Sequence, residues 1–156
     1  MKDSDQGKTL VKSILSDKNC LVTGATGGLG REIAKLFVKK NCNLFLTGTN
    51  NSKLSALGEE LKTSNKEVKI SYDVADLANT EEISKLVKEI RKEFSSIDIL
   101  VNCAGIFLRK PLSDSSLEDV SNCFNVNVQA PILLSKEFSQ DMVKKRWGRI
   151  VNIGSS

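Results

Sequence analysis

Short apolar runs alternate along the chain with longer segments in which apolar residues recur every three or four positions. The runs predict buried strands at 19–24, 43–48, 67–74, 97–105 and 149–155. The segments between them predict helices at 28–40, at 52–63, from Asn79 to about Phe94, and from residue 115 or 116 to about Arg146. Strands rich in Val, Ile and Leu that are separated by helices indicate a parallel sheet covered on both faces. Right-handed crossovers make this a doubly wound α/β fold of strand order 3-2-1-4-5, with a ligand at the carboxyl ends of the strands.

Local signals fix some of the helix faces and helix starts. In the first helix, Leu29, Ile33 and Phe37 share one face, which predicts the buried side. Asn79 with Glu82 has the spacing of a capping box. The long helix offers two caps of this kind, Ser115 with Glu118 and Ser116 with Asp119, and the sequence leaves both open.

Composition narrows the class of protein. The 156 residues suggest one domain, which we place at 18–156 after an N-terminal extension at 1–17. The net charge of +4 is scattered, whereas nucleic-acid binding favours a denser basic stripe. The apolar runs are too short to span a membrane, and the polar start lacks the apolar core of a signal peptide. We therefore expect a cytoplasmic protein that binds neither nucleic acid nor membrane.

Cysteine and histidine usage limits the chemistry. Cys20, Cys42, Cys103 and Cys123 form no CxxC pair, and we expect them to be small, reduced residues, most of them buried. The sequence contains no histidine, which excludes a histidine-based triad within these residues and argues against a zinc site. No metal site is predicted.

The strongest local motif is TGATGGLG, at 23–30, which leaves the first strand and opens the first helix. Glycines allow positive φ and let a ligand approach the backbone, and a helix start binds a pyrophosphate. In this position the motif predicts a dinucleotide site. Gly24, Gly28 and Gly30 fit the pattern TGxxxGxG, whereas Gly24, Gly27 and Gly30 fit GxxGxxG. The glycines alone leave both open.

The remaining motifs favour the first of these two glycine patterns. The chain continues with YDVAD at 72–76, NCAG at 102–105, NVN at 125–127 and GRIVNIGSS at 148–156. With TGxxxGxG, this series resembles the short-chain dehydrogenase/reductase family, nearest its 3-oxoacyl-acyl-carrier-protein reductase branch. Cys103 stands where the family's NNAG has its second Asn. GxxGxxG belongs to the extended relatives, such as sugar-nucleotide epimerases, which lack NNAG, so NCAG disfavours them.

The resemblance implies a Rossmann domain that binds a nicotinamide cofactor. The implied cofactor-binding residues are Gly24, Thr26, Gly27, Gly28, Leu29, Gly30, Thr49, Asp73, Val74, Asn102, Ala104 and Gly105. Asp73 and Val74 would contact adenine, and Asn102, Ala104 and Gly105 would line the adenosine ribose. Gly48 and Thr49 end the second strand without an acidic residue to repel a 2′-phosphate, and Thr49 or Asn50 can donate to it. The arginine common at Thr49 or Gly27 is also absent. We favour NADP(H) over NAD(H).

The family moves a hydride between the cofactor and a carbonyl carbon with four residues: Asn, Ser, Tyr and Lys. Asn127 and Ser155 match the first two. Pro131 has no N–H for the Asn127 carbonyl, so that carbonyl is predicted to be free at a helix kink, where the family uses it to hold a water of a proton relay. The family's Tyr-x-x-x-Lys is not matched, since the only tyrosine, Tyr72, has Asp76 four residues later.

We therefore expect an NADP-dependent oxidoreductase of fatty acid biosynthesis, of which these residues form a fragment that ends after the fifth strand and is inactive alone. The alternative is a non-catalytic dinucleotide-binding fragment or pseudoenzyme. The substrate implied is a small-molecule carbonyl or one carried on acyl carrier protein. KKRWGR, at 144–149, suits a solvated helix end and also resembles the family's docking corner for that carrier, with Arg146 as the docking residue. The full-length form is expected to be a homotetramer.

Overall fold

A computed structural model of the chain describes residues 13–154, so most of the predicted N-terminal extension, and Ser155, lie outside the described residues. A single five-stranded sheet has the order β3-β2-β1-β4-β5, and all of its pairings are parallel. The strands are β1 Asn19–Val22, β2 Asn43–Gly48, β3 Ile70–Val74, β4 Ile99–Asn102 and β5 Arg149–Asn152. The predicted doubly wound fold and its strand order are confirmed, with every strand except β2 shorter than its predicted range.

Residues 13–154 contain five α-helices, one after each of β1, β2 and β3 and two between β4 and β5. They are α1 Gly28–Lys39, α2 Asn51–Ser64, α3 Thr80–Glu93, α4 Leu117–Phe124 and α5 Ala130–Lys144. A short 3-10 turn, Leu112–Asp114, precedes α4, and a π-helical segment, Asn125–Gln129, joins α4 to α5. The predicted long helix therefore exists, with an irregular centre. Within residues 13–154, no helix has the length and apolar character needed to cross a membrane.

The core lies on both faces of the sheet because successive strand residues point to opposite sides. Cys20 and Val22 of β1 pack with α1 and α2, whereas Leu21, on the other face, packs with α3 and α5. The core on the face covered by α3 and α5 includes Phe138, which is fully buried. This two-sided burial explains why the strands are near-continuous apolar runs.

The cysteines contribute to this core as small side chains. All four are free thiols. Cys20 and Cys42 are buried as predicted, whereas Cys103 and Cys123 are half-buried.

The predicted buried face of α1 is wrong in part. Gly30, Ala34 and Val38 are the buried residues of this helix, whereas Leu29 is 54% exposed. A Cβ built on Gly30 would lie 2.3 Å from the Gly24 carbonyl oxygen, so α1 packs against the glycine turn at that position. Ile33 and Phe37 are half-buried and pack against the core, so the prediction fails at Leu29.

Helix capping follows the sequence at one helix and departs from it at another. Ser116 and Asp119 form a reciprocal capping box at α4, which decides between the two predicted caps. Asn79 caps α3 with its side chain, but Glu82 does not return a bond to it. The Glu82 carboxylate instead accepts the backbone N–H of Asp76 at 2.6 Å. The predicted capping box at Asn79 is therefore wrong, because the loop before α3 brings a nearer donor to Glu82.

Candidate functional site

The glycines of the turn between β1 and α1 have different roles. Gly24 has φ +61°, and a Cβ on it would lie 2.7 Å from the Ala104 Cα. Gly24 and Gly30 therefore allow close backbone packing. A Cβ on Gly28 would meet nothing within 4 Å, so the first residue of α1 faces open space. The turn is therefore tightly packed at Gly24 and Gly30 but open at Gly28. At Gly28 the N-terminus of α1 can attract a phosphate group.

Thr23 fastens this turn to the segment after β4. Its side chain is buried, and Thr23 Oγ1 accepts the backbone N–H groups of Cys103 and Ala104, each at 3.0 Å. The Thr23 N–H donates to the Val101 carbonyl at 3.0 Å. Sequence reasoning gave Thr23 no role. The available signal was a hydroxyl residue at the end of a buried strand, which must find a partner there.

A cavity of about 390 Å³, which we call the central cavity, lies where β1, β2 and β4 end. Six of the predicted residues line it: Gly24, Thr26, Gly27, Thr49, Ala104 and Gly105. Further lining comes from Gly48, residues 75–78, Cys103, Ile106, Asn122 and Val126. The sheet thus brings together the glycine turn, the end of the second strand and NCAG, as the motif order predicts.

The remaining predicted residues lie outside this lining. Leu29 is exposed, and Asp73 accepts the Val74 N–H at 2.8 Å within β3. The segment 75–78 lines the cavity in their place. Asn125 helps to fix that segment by donating from Nδ2 to the Ala78 carbonyl at 3.3 Å. Adenine contact by Asp73 and Val74 stays a prediction.

A second cavity, of about 640 Å³, adjoins the central cavity through residues 104–106, and we call it the Asn127 cavity. The side-chain amide of Asn127 makes two hydrogen bonds to the backbone of Ile106. Nδ2 donates to the Ile106 carbonyl at 2.7 Å, and Oδ1 accepts the Ile106 N–H at 2.9 Å. The Asn127 side chain is therefore occupied in positioning the segment after β4.

The helix backbone at Asn127 is irregular, as the proline predicts. Asn127 lies inside the π-helical segment Asn125–Gln129, where the Ala130 N–H donates to the Asn125 carbonyl. Pro131 lies in the first turn of α5 and has no N–H for the Asn127 carbonyl. The distortion takes the form of a widened turn. A free Asn127 carbonyl stays a prediction.

Asn102 presents an unpaired acceptor beside the Asn127 cavity. It is buried, and its Nδ2 donates to Asn152 Oδ1 at 2.8 Å, while its carbonyl accepts the Ile153 N–H at 2.9 Å. Within the part of the chain that the structure describes, Asn102 Oδ1 has no hydrogen-bond partner. Because a buried acceptor normally has a donor, this atom fits a hydroxyl group of a ligand. An open glycine turn and such an acceptor fit an elongated ligand that carries phosphates and hydroxyls.

A third cavity, of about 320 Å³, lies between the starts of α1 and α2, and we call it the α1–α2 cavity. Thr26 lines both this cavity and the central cavity. Three adjoining cavities thus lie side by side at the carboxyl ends of the strands.

In the central cavity, burial raises the pKa of the Cys103 thiol, which keeps that side chain neutral.

Comparison with known proteins agrees with this geometry. The chain matches the short chain dehydrogenase family over residues 18–156. It is 39% identical over 141 residues to a 3-oxoacyl-acyl-carrier-protein reductase of Rickettsia bellii, covering 90% of this chain and 55% of that protein. The chain therefore spans about half the length of the curated relatives it matches.

Solved structures show the same fold. A metagenomic short-chain oxidoreductase in complex with NADP superposes with a TM-score of 0.85 at 28% identity, covering 92% of this chain and 64% of that one. A short-chain dehydrogenase from Sphingobium yanoikuyae in complex with NADPH gives a TM-score of 0.82 at 28% identity, with 88% and 54% covered. With the strand order, the glycine turn and the family match in agreement, the chain belongs to the short-chain dehydrogenase/reductase family of oxidoreductases.

Proposed function

We propose that the whole protein is an NADP(H)-dependent reductase that converts a 3-oxoacyl thioester to the corresponding alcohol. The observation that carries this proposal is the row of three adjoining cavities along the sheet edge, which suits a long dinucleotide with a substrate at one end. When bound, the nicotinamide cofactor supplies the hydride that reduces the carbonyl carbon. The name of the Rickettsia bellii relative supports the substrate class, and the two cofactor complexes support NADP(H).

The chain's own residues would bind the pyrophosphate and the adenosine ribose of the cofactor. Gly27 and Gly28 would leave the helix start open to the pyrophosphate. Ala104 and Gly105 would line the adenosine ribose, with the unpaired Asn102 Oδ1 accepting a hydroxyl. The other proposed contacts are Gly24, Thr26, Leu29, Gly30, Thr49, Asp73 and Val74, which keep the roles that the family resemblance implies.

Asn127 and Ser155 are the proposed catalytic residues. The Asn127 main-chain carbonyl would hold the water of a proton relay, because its side chain already binds Ile106. Ser155 would hydrogen-bond the substrate oxygen. The only tyrosine of the sequence, Tyr72, lies in β3, and its ring packs against Gly58 of α2. We therefore expect the 156-residue chain to bind dinucleotide without reducing substrate.

The proposed partners follow from two exposed surfaces. Arg146 is exposed after α5 and would dock an acidic acyl carrier protein. Leu117 and Phe124 of α4 and Ile132 of α5 expose large apolar side chains, which supports burial in a homotetramer of the whole protein. A cytoplasmic location stays a prediction.

The test separates binding from turnover. We would titrate the 156-residue chain with NADPH by fluorescence and assay reduction of an acetoacetyl thioester. Saturable NADPH binding without turnover is expected, and turnover should appear only in a longer protein that supplies Tyr-x-x-x-Lys. Reduction by the 156 residues alone would contradict the assignment of the missing groups. Absence of dinucleotide binding would contradict the proposed cofactor site, and binding without turnover in the longer protein would favour the pseudoenzyme alternative.

A further inference from the structure

The π-helical segment Asn125–Gln129 makes hydrogen bonds to two different walls of the central cavity. Asn125, at its first position, donates from Nδ2 to the Ala78 carbonyl at 3.3 Å. Asn127, two residues later, binds the backbone of Ile106 through its side-chain amide. Residues two apart on a helix do not share a face, so the two amides reach different sides. Because Ala78 and Ile106 both line the central cavity, one short segment contacts both of its walls.

The wall at residues 75–78 lies beside the end of β2. Gly48 and Thr49, which end that strand, line the same part of the cavity. In a dinucleotide-binding α/β fold the glycine turn after β1 binds the pyrophosphate, and the end of β2 binds the adenosine ribose. Residues 75–78 therefore bound the adenosine half of the proposed cofactor, and we call them the adenosine wall.

The adenosine wall is otherwise bound to its own side of the cavity. Its backbone is joined to β2 through the Ala75 N–H and to α3 through the Asp76 N–H. Among residues 13–154, Asn125 supplies the one hydrogen bond that joins this wall to α4, the π-helical segment or α5. That bond therefore crosses from one half of the site to the other.

Asn125 is placed to act through Ala78. Its neighbours Asn122 and Val126 line the central cavity, whereas Asn125 lines none of the three cavities described above. Its main-chain carbonyl accepts the Ala130 N–H that closes the widened turn. Both its side chain and its backbone are thus bound, in a type of turn that is frequent at functional sites.

We infer that Asn125 is a positioning residue of the cofactor site, whose hydrogen bond to Ala78 fixes the adenosine wall to the segment that carries Asn127. This inference rests on the proposed cofactor and adds to it a residue that does not touch the ligand. A wall that is fixed before binding loses less conformational freedom when the ligand enters. The bond should therefore raise the affinity for the adenosine half of the dinucleotide.

The experiment compares two probes that occupy different parts of the central cavity. The 156-residue chain is titrated calorimetrically with 5′-AMP, which carries adenosine, and with inorganic pyrophosphate, which suits the glycine turn alone. Asn125→Ala should weaken 5′-AMP binding about fivefold, as expected for one hydrogen bond, and leave pyrophosphate binding unchanged. Asn125→Leu keeps the approximate size of the side chain without its donor and should behave like the alanine variant.

The matched control is Gln129→Ala. Gln129 carries the same kind of amide in the same π-helical segment, and it makes no side-chain hydrogen bond within the described part of the chain. This variant should keep both affinities. Amide hydrogen exchange adds a local readout, because the Ala78 N–H donates to Asp76 Oδ1 at 2.9 Å within the adenosine wall. Exchange at Ala78 should be faster in Asn125→Ala alone, with unchanged exchange at Leu100 in β4 as the sign of an intact fold.

The outcomes distinguish this inference from the proposed function. If the wild-type chain binds 5′-AMP and Asn125→Ala binds it equally well, the role of Asn125 is overturned while the proposed cofactor stands. An equal loss for 5′-AMP and pyrophosphate would also overturn it, because Asn125 would then act on the whole fold. Wild-type affinity in Asn125→Leu would assign the effect to packing and refute the hydrogen bond. A wild-type chain that binds neither 5′-AMP nor NADPH would contradict the proposed cofactor site, and the role of Asn125 with it.

Discussion

The two sides of the candidate site are held by different forces. On the glycine-turn side, formed by residues 23–30, backbone atoms pack so closely that Gly24 and Gly30 have no room for a Cβ. On the amide side, formed by Asn102, Asn127 and Asn152, side-chain amides make the connections. The strands that lead into the two sides differ as well, since β1 is mostly buried whereas every residue of β5 is exposed.

This difference separates folding from positioning. Close packing between two backbones cannot relax around an added atom, so changes on the glycine-turn side should destabilise the whole domain. A hydrogen bond near solvent contributes only about 1 kcal/mol because water replaces the lost partner. Changes on the amide side should therefore alter local order more than global stability. Substitutions on the two sides, and at the helix ends beyond them, test that contrast.

Gly30→Ala should have the largest effect. The new Cβ would lie 2.3 Å from the Gly24 carbonyl oxygen, and backbone would have to move to accept it. We expect a loss of about 3 kcal/mol in the free energy of unfolding, measured by urea denaturation. Gly28→Ala is the matched control, because its Cβ would meet nothing within 4 Å, and it should stay within about 0.5 kcal/mol of wild type. Equal stability of the two variants would refute the packing role of Gly30.

Thr23→Val should come next. This change removes the hydroxyl that accepts the N–H groups of Cys103 and Ala104 and leaves both short of a partner. We expect a loss of about 2 kcal/mol, because burying a donor without an acceptor costs more than the average hydrogen bond contributes. Thr23→Ser keeps the hydroxyl and should restore most of the stability. If the serine variant is as unstable as the valine variant, the hydroxyl is not the stabilising group.

Asn127→Ala should have a smaller and more local effect. Both hydrogen bonds to the Ile106 backbone are lost, but that segment is exposed, so the expected cost is about 1 kcal/mol. Amide hydrogen exchange should show faster exchange at Ile106 and unchanged exchange at Leu100 in β4. Asn122→Ala is the control, since that exposed asparagine makes no side-chain hydrogen bond among the described residues. Faster exchange throughout β4 would show that the amide side also governs folding.

Arg146→Gly should be the only stabilising change. Arg146 follows α5 with φ +53°, a left-handed conformation that glycine adopts more easily, and we expect a gain of up to about 1 kcal/mol. Asn41 follows α1 on the opposite half of the sheet with φ +60°. Asn41→Gly should give no gain, because asparagine tolerates this conformation and Asn41 Oδ1 accepts from Asn65 at 2.8 Å. Thermal unfolding of both variants would measure the difference, and an equal gain would show that the side chain at position 41 contributes nothing.

The sequence predicted the features that depend on residues close together in the chain. It failed for features that depend on contacts between distant residues or on which of two groups a side chain binds. The alternation of periods predicted the five strands of the described sheet and the first three helices, but it merged α4, the π-helical segment and α5 into one long helix. The glycine turn was placed correctly. The buried face of α1 was wrong at Leu29, because the helix packs against the glycine turn through Gly30 and leaves Leu29 exposed. The partner of Glu82 was wrong because Asp76 offers a nearer N–H. Thr23 was missed because its partners lie about 80 residues away in the sequence.

The sequence by itself determined the order of the strands, since apolar periodicity is a local property and right-handed crossovers leave few ways to connect parallel strands. Only the tertiary structure decided which side chains meet at the sheet edge. The parallel pairing of β1 with β2 sets the starts of α1 and α2 beside each other, and so brings Arg31 and Lys53 to one cavity. That encounter depends on register and packing across distant segments, which no local pattern specifies.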